Sequence, residues 1–307
     1  MTDANTAFAV SMSIVALGYL LKRTGVIGEG GGEVLARLVF TLTLPALILR
    51  TFMDTEVTAS LAVLPLACLG HGALVLGFSR WLHRGLPRRE RGLALISSAG
   101  FNNGLFAFPI VEQIWGPQGI QYLAMFDIGN VFLLMAVNYI IGDLHASGSG
   151  GLRADLGFAL KSLARSVPLM TYLAALGINL TGMPVPGPLL SLVETVARAN
   201  MPLALLLLGV YLHFRFEPSW VKRAASVLAV RYLFGLGMGT ALFLILPYGL
   251  LLRELLLIGL LLPIGLVTIP YAVRFGFDRA LAGTLVNLTN LISFALMWAV
   301  VALVGGG

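Results

Sequence analysis

The sequence predicts an all-α integral membrane protein: ten transmembrane helices in a 5+5 inverted repeat, with helices 4 and 9 broken and crossing. Three observations carry that expectation: the composition, the placement of arginine and lysine, and a set of motifs paired between the two halves. The chain is 58% hydrophobic and 11% charged over 307 residues, with a mean hydropathy of +0.92. A soluble domain carries about 25% charged residues, so this chain could not cover its surface in water. A spanning helix takes roughly 20 apolar residues, which leaves room for about ten.

Apolar runs between charged or Gly/Pro-rich interruptions place the spans near 5–21, 34–53, 58–79, 92–114, 118–142, 156–179, 187–212, 223–247, 251–274 and 279–304. Basic residues follow every odd-numbered span. Lys22 and Arg23 come after the first, and Arg80, Arg84, Arg88, Arg89 and Arg91 after the third. Arg153 follows the fifth, Arg215, Lys222 and Arg223 the seventh, and Arg274 and Arg279 the ninth. The other side has little beyond Arg50 and Arg253. Lysine and arginine accumulate on the cytoplasmic side, which predicts an inner (plasma) membrane protein with both termini outside the cytoplasm. The net charge of +6 is therefore a topology signal, and no nucleic-acid partner is expected. The acidic start "MTDANTA" lacks the positive region of a cleavable signal peptide. Cys68 is the only cysteine, so no internal disulfide is expected.

"HASGSGGLRAD" at 145–155 reads as a short flexible connection. It divides the chain into a first five-helix repeat at 1–145, a cytoplasmic linker at 146–155 and a second, inverted repeat at 156–307. "ALG" at Ala16–Gly18 recurs at Ala175–Gly177, offset 159, and "LPALIL" with Pro45 answers "MPLALL" with Pro202, offset 157. Pro109 answers Pro270 at offset 161, and "WGPQGIQYLAMFDIGN" (115–130) answers "FGFDRALAGTLVNLTN" (275–290) at offset 160. That last pair aligns Asp127 with Asn287 and Asn130 with Asn290. Five spans per half is an odd number, so the second half inserts upside down. Inverted repeats with paired broken helices are the pattern of secondary transporters. The interruption lies in "FNNGLFAFPI" (101–110), where Asn102, Asn103, Gly104 and Pro109 weaken a helix that lipid cannot rescue. Its counterpart centres on Pro270, and the two breaks are expected to meet around a shared cavity.

The motifs "GYLLKRTGVI", "LVFTLTLPALIL", "NNGLFAFP", "WGPQGIQYLAMFDIGN" and "MPLALLLLGVYL" resemble those of the auxin efflux carrier family. That family includes plant auxin exporters and bacterial permeases for malate, malonate and related carboxylates. The resemblance runs from Gly18 to about Asn290, and its most specific element, an asparagine seven residues before the crossover proline, falls on Asn102. The family often has glycine two residues before that proline, where this chain has Ala107. The resemblance implies a fold akin to bile-acid sodium symporters, with helices 1, 2, 6 and 7 as scaffold and 3–5 and 8–10 as transport domain. It also implies a homodimer formed through the scaffold.

The candidate substrate-binding residues are Asn102, Asn103, Gly104, Pro109, Thr268 and Pro270. The two amides could donate to a substrate carboxylate, aided by the positive end of the half-helix after the break; interhelical hydrogen bonding is the other reading. Thr268 could add a hydroxyl, or satisfy its own helix backbone. Asp127 is an acid near the middle of a span and therefore a candidate for proton or ion coupling, with Asn130, Asn287 and Asn290 along the same seam. The alternative for Asp127 is a neutral, hydrogen-bonded helix tie. Glu194 and Arg198 read as a local ion pair, Arg231 as a snorkelling side chain or a substrate contact, and His71 as a packing histidine. Gly235, Gly237 and Gly239 suggest close packing.

No Walker-type phosphate loop is present, and the four histidines have no metal-ligand spacing, so no cofactor, metal or catalytic residue is expected. The sequence points to a secondary active carrier of a small organic anion with an elevator-type mechanism. A sodium-coupled symporter of bile-acid type, a channel and an intramembrane enzyme are the alternatives.

Overall fold

In lipid a main chain must satisfy its own hydrogen bonds, and helices do so within one segment. The computed structural model describes residues 4–28, 30–53, 57–146, 157, 160–213, 217 and 220–304, and every regular element among them is helical. The expected linker, apart from Ala146, lies outside the described residues, as do Arg153, Arg215 and both chain ends.

Among the described residues, seven helical stretches are long and apolar enough to cross a membrane: Ala4–Arg23, Gly31–Met53, Ala59–Leu82, Arg88–Ala146, Gly187–Tyr211, Val221–Ile245 and Arg279–Val304. A shorter apolar helix spans Val167–Thr181. The chain is thus a multi-pass membrane protein. The stretch Arg88–Ala146 covers 59 residues, more than one crossing of roughly 20 requires. It is interrupted at 99–102 and again at Gly116, whose φ of 60° and ψ of −147° leave the helical region just before Pro117.

The chain divides into two compact units. The first comprises 1–62, 103–125 and 166–212. It contains α1 (Ala4–Arg23), α2 (Gly31–Leu38), α3 (Leu44–Met53), the start of α6 (Phe108–Phe132), α8 (Val167–Thr181), α9 (Gly187–Arg198) and α10 (Asn200–Tyr211). α1 lies on α10 at backbone distance: a Cβ on Gly18 would strike the Leu206 carbonyl, and one on Gly209 the Val15 carbonyl. Small residues permit this approach where water gives no drive to associate. Polar ties finish the unit. Thr43 donates to Asn200 Oδ1 at 3.0 Å, Gln113 to Ser11 at 2.8 Å and Asn179 to the Phe52 carbonyl at 2.6 Å. Arg50 pairs with Glu112 at 3.6 Å. The expected Glu194–Arg198 pair forms at 3.9 Å on the exposed face of α9. α8 starts at Ser166, whose Oγ accepts from the Leu169 N–H, and ends at Gly182 in the left-handed conformation.

The second unit comprises 63–102, 126–165 and 213–307. It contains α4 (Val63–Leu82), α5 (Arg88–Ser98), the end of α6, α7 (Asn138–Ala146), α11 (Val221–Ile245), α12 (Leu250–Leu260), α13 (Thr268–Phe275) and α14 (Arg279–Val304). Its apolar core includes Leu93, Ile96, Tyr139, Ile264, Tyr271, Phe275 and Leu285. The glycines of α11 behave unequally: a Cβ on Gly235 would meet the Leu260 carbonyl, one on Gly239 the Leu257 side chain at 2.6 Å, and one on Gly237 nothing.

Candidate functional site

Two helical paths stop and restart, and both stops lie in the second unit. α5 ends at Ser98; Ala99 is extended and Gly100 takes a φ of 85°, which only glycine adopts readily. Helical structure resumes at Asn103 in a wide turn, Asn103–Ala107, which leads into α6. α12 ends at Leu260 and α13 begins at Thr268. Both breaks therefore precede their prolines, whereas the sequence centred the second on Pro270 itself. Pro109 follows the wide turn, and such a turn absorbs a missing N–H. Pro270 is the third residue of α13, in the first turn, where a helix N–H lacks an internal partner anyway.

Exposed main-chain groups at a break have to find partners. Here several of those partners can be named. The Phe101 N–H donates to Asn130 Oδ1 at 2.7 Å, and Asn130 Nδ2 donates to the Phe101 carbonyl at 2.9 Å. Asn138 Nδ2 donates to the carbonyls of Ile96 and Ala99. The Asn102 N–H donates to the Pro263 carbonyl at 2.9 Å, joining the first break to the second. The Ile264 N–H donates to Thr289 Oγ1 at 3.1 Å, and Ser293 Oγ donates to the Leu261 carbonyl at 2.6 Å.

Arg231 binds four further carbonyls. Its side chain is fully buried, which corrects the snorkelling expectation. Nη1 donates to the Ser98 carbonyl at 3.1 Å; Nη2 reaches the carbonyls of Gly100 at 2.8 Å, Leu262 at 2.7 Å and Pro263 at 3.0 Å. Nε also donates to Leu262, at 3.2 Å. The guanidinium lies 4.7 Å from the centre of the Phe101 ring. Four carbonyls from the C-terminal ends of α5 and α12 thus converge on one cation. Helix C-termini carry partial negative charge, and aromatic faces attract cations. These contacts offset a desolvation penalty of several kcal/mol for a buried charge.

The other expected residues fall as follows. Asn102 is buried in the second unit, at the first break; Asn103 is buried in the first unit, at the start of the wide turn. A Cβ on Gly104 would lie 3.1 Å from the Phe40 ring and 3.3 Å from Leu44. Thr268 is 1% exposed and its hydroxyl has no hydrogen-bond partner among the described residues. Asp127 is 5% exposed and accepts from Asn130 Nδ2 at 2.8 Å. Asp127, Asn130, Phe101, Gly100 and Arg231 therefore form a continuous run from a buried acid to a buried cation. Asn287 turns elsewhere, donating to the His213 carbonyl at 3.0 Å. Asn290 is buried, but Thr289 makes the bond to the second break that Asn130 makes to the first. His71 is fully buried with its ring 5.6 Å from Phe101, a packing role. Glu254 is a second deeply buried acid, at 3% exposure in α12, that the sequence did not single out.

Elsewhere in the unit, a cavity of about 260 Å³ is lined by residues that include His83, Arg89, Glu90, Arg223 and Asp278. Arg223 pairs with Glu90 at 3.1 Å, and Asp278 caps α14 by accepting from the N–H groups of Ala280 and Leu281. His83 is buried between Ser79 and Ser226. That burial lowers its pKa, and the hydrogen bond to the Ser79 carbonyl acts weakly the other way. Arg89, which follows α4, and Arg223, in the first turn of α11, thus line one cavity with Gly276–Asp278 between α13 and α14.

Fold and site together define a class: a helical multi-pass membrane protein with paired helix breaks knitted around a buried cation. Residues 6–148 match the family model described as membrane transport protein. Along its length the chain is similar to an uncharacterized transporter of Methanothermobacter thermautotrophicus, 25% identical over 98% of this chain and 99% of the relative. It is also similar to an uncharacterized transporter of Methanocaldococcus jannaschii, 24% identical over 66% of this chain and 67% of the relative. The resemblance to the auxin efflux carrier family that the motifs carried is borne out by these matches.

Proposed function

We propose that this protein is a secondary active transporter of a small organic anion, a carboxylate of the auxin, malate or malonate kind, working by elevator-type alternating access. The observation that carries the reading is the pair of breaks joined by the Asn102–Pro263 hydrogen bond and filled by the Arg231 guanidinium. Broken helices at membrane depth are tolerated where they serve a site, and their half-helix N-termini attract anionic groups. A fixed positive charge at the breaks and the unpartnered Thr268 hydroxyl at the start of α13 favour an anion further. Asn102, Asn103, Gly104, Pro109, Thr268 and Pro270 form the substrate-binding set. Asp127 with Asn130 forms the coupling set, and Asn290 extends it.

Two interruptions in Arg88–Ala146 and the one between α12 and α13 support a count of ten crossings in a 5+5 inverted arrangement. The meeting of Arg89 and Arg223 beside His83 supports a cytoplasmic side there and termini on the other. A cysteine introduced at residue 86 is then unreactive to an impermeant label added from outside. Assembly as a homodimer follows from the family resemblance, and a dimer mass in nanodiscs tests it.

A thermal-shift screen of carboxylates on the purified protein tests the reading, since a bound ligand stabilises the fold by mass action. Malate, malonate or indole-3-acetate is expected to raise the midpoint in a saturable manner. No shift with any small carboxylate, together with no carboxylate uptake in vesicles, overturns it.

A further inference from the structure

We infer that Arg231 is a tethered counter-cation, occupying the carbonyl cage that a free coupling ion would use, so that this transporter binds no sodium at its breaks. The inference deepens the proposed transport function and rests on it for its meaning, but its test reads stability and not transport. In secondary transporters the unwound carbonyls and half-helix C-terminal ends at the breaks are the groups that coordinate Na⁺. Here those groups are the carbonyls of Ser98, Gly100, Leu262 and Pro263, and all four accept from the Arg231 guanidinium at 2.7–3.1 Å. Their lone pairs face one cation already.

Among the described residues, no carboxylate bonds to the guanidinium. Every hydrogen bond of the guanidinium ends on a main-chain carbonyl, and the ion pairs among the described residues involve other arginines. A neutral cage with one resident positive charge has a net charge of plus one, which repels a second cation and attracts an anion. Asp127, the acid nearest along the hydrogen-bonded run, is separated from the guanidinium by Asn130 and the Phe101–Gly100 backbone. The cation is also immobile: it sits on α11, 31 residues before Leu262 and 131 after Gly100 in the chain. It travels with the breaks and is never released, so it holds their geometry through a cycle without itself contributing ion-gradient energy.

The experiment is thermal unfolding of the purified protein in sodium chloride, in choline chloride at matched ionic strength, and in choline chloride with millimolar guanidinium chloride. Wild type, Arg231→Ala and Arg231→Lys are compared. For wild type and Arg231→Lys, which keeps a cation in place, the sodium and choline curves are expected to coincide. For Arg231→Ala the midpoint in choline is expected to fall by several degrees, and sodium or guanidinium to restore part of it saturably. A saturable rise of the wild-type midpoint in sodium over choline overturns the inference. So does an Arg231→Ala protein as stable as wild type and indifferent to all three cations. If Arg231→Ala does not fold, the wild-type comparison decides alone. Carboxylate transport could fail to appear while these stability results stand, so the two readings are separable.

Discussion

Asn130 holds Phe101 by both faces of its backbone: the Phe101 N–H donates to Asn130 Oδ1 at 2.7 Å, and Asn130 Nδ2 returns a bond to the Phe101 carbonyl at 2.9 Å. One side chain thereby replaces the helical partners that the break at 99–102 removes. Because the same Nδ2 also reaches Asp127, the acid proposed to couple transport is tied to the backbone that shapes the site.

Asn130→Ala removes that clamp and leaves a buried N–H and a buried carbonyl unsatisfied. A loss of roughly 2–4 kcal/mol in unfolding free energy is expected, on the scale of two unpaired buried groups. Asn287→Ala loses one partly exposed bond to the His213 carbonyl and is expected to cost under about 1 kcal/mol. Denaturant titration in detergent measures both, and equal losses would contradict the clamp.

Gly100→Ala places a Cβ on a residue with φ of 85° and against the Leu134 side chain. The left-handed conformation alone costs roughly 1–2 kcal/mol for an L-residue, before the clash. Gly237→Ala meets open space on α11 and is expected to be neutral or slightly stabilising, since alanine is the better helix former. Paired melting curves in one detergent separate the two sites.

The composition and the arginine pattern were enough to read a multi-pass helical protein, because lipid forces both on any such chain. Asn102 and the break around it were legible too, since adjacent amides and glycine inside an apolar run have few other uses. Arg231 was not. Its partners are main-chain carbonyls 31 to 133 residues away, and a carbonyl has no signature in the sequence. Thr289 escaped for a related reason: the repeat aligned Asn130 with Asn290, while the bond to the second break comes from the neighbouring hydroxyl. The proline positions marked the broken helices but not the breaks, because proline fits the turns that follow them.

His83 makes stability depend on pH. Burial lowers its folded-state pKa, so the folded protein resists binding a proton that the unfolded chain accepts near the ordinary value of about 6.5. The stabilisation is present above that value and is lost as pH falls from it towards the lowered one. Arg89 and Arg223 across the cavity add positive charge, and Glu90 and Asp278 add negative charge. The wild-type midpoint is expected to fall on acidification through this window, and His83→Gln to fall less. Parallel curves for the two proteins would show that His83 does not carry the effect.

Asp127→Asn keeps a hydrogen-bonding group beside Asn130 but removes the titratable one. In proteoliposomes it is expected to abolish uptake driven by a pH gradient while preserving substrate exchange at equal pH. A variant that still concentrates substrate on a proton gradient would reduce Asp127 to a structural tie.

The central claim, that the paired breaks bind and carry an organic anion, is tested most directly by counterflow. Proteoliposomes loaded with unlabelled malate, malonate or indole-3-acetate are diluted into the same compound in radiolabelled form, with wild type and Asn102→Ala compared. The account predicts saturable, trans-accelerated entry of at least one carboxylate by wild type. For Asn102→Ala it predicts an affinity weakened by roughly 10- to 150-fold, the equivalent of one hydrogen bond to a charged group. Entry that does not saturate, or that is the same in Asn102→Ala as in wild type, would contradict it.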